Sequence, residues 1–297
     1  MPIAAGGIPA CPLCRAAACK RSWSVDRRYR DALYTLDLAR CRFCSFVFLV
    51  NPPAVVYDDG YLEVEEVNTG GDRLARFRCE ERVADIAARL SPASDHRILD
   101  IGVGDGLFMS VAEAAGFQVF GLDINAGAPE TVKRAYGVRG PVVVGDIGDA
   151  FPGYTFDVIH MNEVVEHVPR PQAFLSRCAD RLADGGRLIV QTGNIDSLAA
   201  RAYGARWDYF RPVHLGYFSS RTLRAAMERA GLTVVLCRTI DWRGASVLAT
   251  CRALMADGRA RDGLRLAALW LSAHVHGLRR TVLVHAVRSD TGPGAGT

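Results

Sequence analysis

Glu163-Val-Val-Glu166-His167 puts two carboxylates and an imidazole within five residues, and a second imidazole follows in Arg211-Pro-Val-His214. On a helix, Glu163, Glu166 and His167 would share one face, because residues three and four apart are neighbours there. Carboxylate and imidazole donors together suit a divalent cation such as Mg2+. Such a cation would lower the pKa of a bound hydroxyl and orient it for reaction. The same residues also suit a cation-free scheme, with His167 or His214 as a general base worth typically ~10²–10⁴-fold. A third use is structural, with a carboxylate capping the helix and a histidine lining a pocket. The residues alone leave all three open. Tyr209 and Arg211, in Trp207-Asp-Tyr-Phe-Arg211, are candidate substrate contacts over the same rim, or else anchors of a packed loop.

A second group of donors stands near the front. Cys11-Pro-Leu-Cys14 and Cys41-Arg-Phe-Cys44 are paired knuckles, in which one tight turn presents two sulfurs to a metal. Four such thiols read as a structural, tetrahedral Zn2+ site. A redox dithiol would want a thioredoxin-like sheet, and nothing nearby predicts one. The span Arg27–Arg40, with Tyr34, Leu36 and Leu38 alternating, predicts a short strand pair. Residues 1–53 are too few to bury a sufficient core, so metal binding would supply folding free energy.

The rim residues need a frame, and the middle of the chain predicts one. Arg97-Ile-Leu-Asp-Ile-Gly-Val-Gly-Asp-Gly106 reads as a buried strand running into a glycine bend, then a helix with Leu107, Phe108 and Val111 on its apolar face. Gly102, Gly104 and Gly106 let the backbone turn sharply and approach a ligand without a Cβ. The next strand ends at Asp123, whose carboxylate could accept two ribose hydroxyls. This is the nucleoside-binding half of a doubly wound sheet. A dinucleotide site would want G-x-G-x-x-G; the spacing here is G-x-G-x-G, and Asp100 and Asp105 would repel a pyrophosphate. They suit the cationic amino-acid end of S-adenosylmethionine instead.

Taken together, the bend, Asp123, Pro141-Val-Val-Val-Gly-Asp146, Phe156-Asp-Val-Ile-His-Met-Asn-Glu163 and Gly185-Gly-Arg-Leu-Ile-Val-Gln191 resemble the class I S-adenosylmethionine-dependent methyltransferases over roughly residues 70 to 290. That resemblance implies an α/β fold with a seven-stranded doubly wound sheet and a reversed last strand, Thr281–Val287. It implies that Asp100, Gly102, Gly104 and Gly106 meet the amino-acid end of the cofactor. Asp123 would hold the ribose and Asp146 the adenine end, with Ile124, Ile147 and Asn162 among the other cofactor contacts of the same crevice. The E-x-x-E-H block with a distant histidine resembles the ubiquinone-pathway O-methyltransferases and the small-RNA 2′-O-methyltransferases, in which a metal holds acceptor hydroxyls. A zinc ribbon ahead of such a core resembles a bacterial group acting on sugars and other small molecules, although Ser45 stands where a glycine is common.

The remainder bounds these readings. The expected domains are the ribbon (1–53), a linker and lid helix (54–95), and the core (96–290) with a helical insertion at 243–278. Tyr57 and Tyr61 in the linker are candidate substrate contacts. The insertion is a candidate homodimer surface. A net charge of +4 without a basic block argues against a nucleic-acid partner, and no apolar run is long enough to span a bilayer. A cytoplasmic enzyme is expected. The expected reaction is methylation of a hydroxyl on a sugar or other small metabolite. C- or N-methylation, and a non-catalytic scaffold with a vestigial cofactor fold, remain the alternatives.

Overall fold

The structure is a computed structural model that describes residues 9–17, 19–53, 73–90, 96–240 and 281–288. Tyr57, Tyr61 and the expected insertion at 243–278 lie outside these residues.

The glycine bend follows β4 (Arg97–Ile101), which is buried from Ile98 onward, as a strand covered on both faces must be. Helix α1 (Arg73–Ala87) precedes it, and α2 (Leu107–Ala114) follows the bend. The chain continues through β5 (Gln118–Asp123), α3 (Ala128–Tyr136), β6 (Val142–Val144), β7 (Phe156–Asn162), α4 (Pro171–Asp180) and β8 (Leu182–Gly193). Helices α5 (Leu198–Tyr203) and α6 (Ser220–Arg229) lead to β10 (Leu232–Ile240) and β11 (Thr281–Arg288). The strand order is β10-β11-β8-β7-β4-β5-β6. Strands β4 to β8 pair in parallel, whereas β11 runs antiparallel to both neighbours. This is the expected seven-stranded sheet with its reversed last strand.

Side chains alternate between two cores, as the two-residue period of a strand requires. Leu99, Ile101, Ile159, Met161, Leu188 and Val190 pack on the face that α4 and α6 cover. Ile98, Val158, Ile189 and Leu283 pack on the other, with Val83 and Ile86 of α1 and most of α2.

The front of the chain is more extensive than a short strand pair. β1 (Cys19–Tyr29) and β2 (Ala32–Cys41) form a long hairpin, closed by a turn in which Arg30 takes a φ of 52°. β3 (Val47–Leu49) adds to β2, and the core supplies a fourth strand, β9 (Gly216–Tyr217). The ribbon is therefore completed by the segment that follows His214. A third apolar cluster spans the two parts. Val25, Leu36, Leu38, Val47 and Leu49 of the ribbon pack with Ile195, Ala200, Trp207, Phe210 and Tyr217 of the core. Among the described residues, no helix is long and apolar enough to cross a membrane.

Candidate active site

The glycine bend is built by three glycines with different tasks. All three have positive φ, 73° at Gly102, 56° at Gly104 and 89° at Gly106. A Cβ on Gly102 would stand 2.4 Å from Val164 Cγ2, and one on Gly106 would stand 2.7 Å from Val132 Cγ1. A Cβ on Gly104 would meet nothing within 4 Å. Gly102 and Gly106 thus serve close packing, while Gly104 presents bare backbone to open space.

Asp123 ends β5 beside this bend. Burial pushes its carboxyl upward, against the backbone N–H groups of Asn125, Gly104, Val103 and Ile124, which favour the charged form. The Asn125 N–H donates to Oδ1 at 2.9 Å. Ile124 is 60% exposed, an unusual position for its side chain. Asp146 is exposed; it accepts from Gly148 N at 2.9 Å and pairs with Arg177 at 3.1 Å. Asn162 keeps a buried side-chain oxygen without a hydrogen-bond partner. Open space at Gly104, an orphaned amide oxygen and an acid facing the bend are what a nucleoside with an amino-acid tail would occupy, so the residues fit that group.

Three of the residues expected at this crevice are engaged by the protein's own neighbours. Asp100 does not stand open to a ligand: it is 4% exposed and takes His160 Nδ1 at 2.7 Å. His160 bonds onward to Arg82 at 2.9 Å and stacks on Phe108, so it is a packed residue of the α1 face. Burial raises the Asp100 carboxyl well above the usual range. Asp105 is spent on α2, accepting from Leu107 N at 3.0 Å and from Tyr136 at 3.3 Å. Ile147 has no exposed side chain and belongs to the core.

The acidic block sits at the carboxyl end of β7. Only Val165–His167 form a helical turn, and it is 3-10. Glu163 precedes it with a φ of 55°, a left-handed conformation that a non-glycine residue adopts at a cost. The expected one-face arrangement of Glu163 with Glu166 and His167 is therefore corrected. Glu166, His167 and His214 do converge, with their donor atoms within 4.8 Å of one another. Glu163 reaches the group through Tyr209, whose hydroxyl bonds Glu163 Oε2 at 2.8 Å and also Glu166 Oε1. Thr192 donates to the other Glu166 oxygen at 2.8 Å. Glu163 Oε1 is buried without a hydrogen-bond partner. Burial and then the Glu166 charge push the Glu163 carboxyl well above the ordinary range.

Both imidazoles are oriented by backbone. His167 Nδ1 lies 2.9 Å from Val213 O, and His214 Nδ1 lies 2.7 Å from Tyr209 O. A carbonyl only accepts, so each Nδ1 carries the proton and each Nε2 is the basic atom. Burial, then the neighbouring His167 and Arg211, lowers the His214 pKa and keeps that ring neutral. The donor set, with a carboxylate held by two hydroxyls and a second carboxylate oxygen unpartnered, fits a divalent cation. Arg211 stands close enough for its charge to act on Glu163 and His214.

Tyr209 is the residue whose role sequence reading understated. Its ring stacks on Trp207 at 5.1 Å and leans on His214 at 4.3 Å. A Cβ on Gly193 would stand 2.3 Å from that ring. Gly193 at the end of β8 is the one sequence signal that could have marked the slot.

The knuckle cysteines also converge, all four sulfurs lying within 4.8 Å of one another. Cys11–Cys44 and Cys14–Cys41 are each separated by 3.6 Å. A tetrahedral Zn2+ with bonds of about 2.3 Å needs sulfurs about 3.8 Å apart, so the cluster fits that ion. A hydrogen bond from Cys11, opposed by burial, draws the Cys44 thiol below its ordinary range.

A hollow of about 490 Å³ lies elsewhere, at the amino end of β5 among Glu113, Phe117, Arg139 and Pro141, and none of the residues above line it.

This sheet order, with the nucleoside crevice at its carboxyl edge, defines a class I S-adenosylmethionine-dependent methyltransferase fold. Residues 72–236, more than half of the chain, match the model of a methyltransferase domain, and the chain belongs to that family. Ubiquinone biosynthesis O-methyltransferase of Xanthomonas axonopodis pv. citri is 37% identical over 121 residues, which are 38% of this chain and 49% of that protein. The Xylella fastidiosa protein of the same name is 35% identical over 37% of this chain and 47% of its own. The chain thus spans about half the length of these relatives. Among solved structures, a chain of the Haloferax volcanii complex of the Trm112 activator with a methyltransferase superposes with a TM-score of 0.58 at 18% identity, covering 80% of this chain and 97% of its own. Magnesium protoporphyrin IX methyltransferase from Synechocystis PCC 6803 gives 0.53 at 16% identity, over 77% and 94%. At these identities the likeness concerns fold.

Proposed function

We propose that this chain transfers the methyl group of S-adenosylmethionine to a hydroxyl of a small, hydroxyl-bearing metabolite such as a sugar or a phenol. The observation that carries this reading is the pair of imidazoles, each tied by Nδ1 to a main-chain carbonyl, beside the buried carboxylate of Glu166. Gly104 and Asp123 would seat the cofactor, with Ile124 against its base and Asn162 beside its amino-acid end. The cofactor supplies an electrophilic methyl on sulfur. With it bound, the acceptor oxygen would take the methyl in line as the sulfur–methyl bond breaks, and the rim residues would contribute by positioning the acceptor and by taking the hydroxyl proton.

Two arrangements of that proton fit the rim. Glu166, His167 and His214, with Glu163 beside them, would hold a divalent cation, which when bound would acidify the acceptor hydroxyl. In the second, the Nε2 of His214, left free by the tie of Nδ1 to Tyr209 O, accepts the proton directly. Tyr209 and Thr192 keep Glu166 fixed in either case. Arg211 would meet an anionic part of the acceptor. At the front, Cys11, Cys14, Cys41 and Cys44 would hold Zn2+ as a closed structural site.

Calorimetric titration with S-adenosylhomocysteine tests the cofactor crevice, and the absence of binding to folded protein would defeat the reading. A screen of hydroxylated sugars and phenols, with and without a chelator too weak to strip the ribbon, tests the rim. Turnover that survives chelation unchanged would rule out the cation and leave His214 as base. Turnover confined to carbon or amine acceptors would replace O-methylation with C- or N-methylation.

A further inference from the structure

The ribbon reaches the acceptor rim with a side chain as well as a strand. Arg27, on β1, extends its guanidinium to the loop between α5 and β9. Its Nε donates to Phe210 O at 3.1 Å, and one terminal nitrogen donates to both Ala205 O and Trp207 O at 2.7 Å. A planar fork with several fixed donors can gather three carbonyls in this way, whereas a lysine ammonium would act as a point charge. These carbonyls belong to the segment that carries Tyr209. The Trp207 and Phe210 side chains on either side of it are buried in the cluster shared with the ribbon. The Tyr209 ring is bounded by Gly193 on β8, where a Cβ would not fit. Its hydroxyl meets Glu163 and Glu166. One face of the Tyr209 slot is therefore set by the sheet, and the backbone behind it is held from the ribbon.

We infer that Arg27 is a positioning residue: acting through the 205–210 backbone, it holds Tyr209 on the Glu163–Glu166 pair and so sets the geometry of the acceptor site. This rests on the reading of the rim given above. Arg27 touches neither the carboxylates nor the imidazoles. Its effect is on placement, where a shift of about 1 Å can cost on the order of 10²-fold in rate.

The test uses the full-length, zinc-loaded chain with Arg27→Met and Arg27→Lys, beside Glu166→Gln. Hydrogen–deuterium exchange should quicken in peptides covering 204–217 and stay unchanged in those covering 97–123 and the two cysteine knuckles. Affinity for S-adenosylhomocysteine should remain within about twofold, as expected for a distant, independent site. With an acceptor found by the screen above, kcat/KM should fall ~10–100-fold in Arg27→Met, and Arg27→Lys should recover only part of it. Unchanged exchange at 204–217 would overturn the inference. So would a loss of activity accompanied by faster exchange in the knuckles or by loss of zinc, since Arg27 would then merely hold the ribbon together. Full turnover in Glu166→Gln would instead defeat the reading of the rim, and the exchange data would still decide what Arg27 does to the loop.

Discussion

At the scale of single residues, the glycine bend separates packing from binding. Gly102→Ala drives a methyl into Val164 in a left-handed backbone and should cost roughly 1–3 kcal/mol of stability, read as a lowered Tm. Gly104→Ala meets no neighbour, so its stability cost should be smaller, yet it places a methyl where bare backbone faces the crevice. S-adenosylhomocysteine titration should show Gly104→Ala to be the worse binder of the two. A buried histidine gives a pH signature. Burial lowers His285 on β11 to about 4, against the favourable charge of Asp85, and Arg89, Arg238 and Arg82 add to the lowering. The unfolded chain binds a proton at this ring near 6.5 and the folded chain does not until about 4. This contribution to stability is therefore complete above pH 6.5 and is lost as the pH falls toward 4, with a slope of about 1.4 kcal/mol per unit. His285→Leu should flatten denaturant-derived stability across that window by about one proton's worth.

At the scale of elements, what could be read from the chain was what repeats at short range. The buried runs of β4, β7 and β8 and the apolar face of α2 are continuous in sequence, so their strands and order were legible. The Cys knuckles and the adjacent pair Glu166-His167 were legible as donor groups because each is local, whereas Glu163 stands off that pair in a left-handed backbone that the spacing does not reveal. The fates of Asp100 and Asp105 were not, because both depend on partners brought in by other elements, His160 and Tyr136. Nor was β9 legible: two residues have no periodicity, and Gly216–Tyr217 is a strand only because Val47 and Phe48 pair with it. The same pairing makes the ribbon's integrity matter to the rim, since Leu215 N donates to Glu166 O at 2.8 Å and Leu49 N to Leu215 O at 2.9 Å. Cys44→Ser, or extraction of the ribbon metal with a strong chelator, should lower Tm and also reduce methyl transfer, while a weak chelator leaves Tm unchanged. Metal analysis should find one zinc per wild-type chain and less in Cys44→Ser.

At the scale of the whole molecule, the ribbon and the sheet are one hydrophobic object. One cluster that joins them contains, among the described residues, ten buried ones drawn from both parts, with Trp207 and Tyr217 among the largest. Removal of residues 1–53 would uncover this apolar surface and leave β9 an unpaired edge, a recipe for association. The truncated chain should aggregate on expression, or elute in size-exclusion chromatography well above its monomer mass. An independently folding, monomeric core would contradict that expectation.

The distance along the chain between Arg27 and the carbonyl of Phe210 is 183 residues. During synthesis, at about 5–20 residues per second, the amino-terminal hairpin must wait roughly 10–40 s after leaving the ribosome before the segment that finishes its sheet exists. Over that interval the ribbon's share of the joint apolar cluster, Val25, Leu36, Leu38, Val47 and Leu49, has none of its core partners to cover it, so a chaperone that shields this face should raise the yield of folded protein.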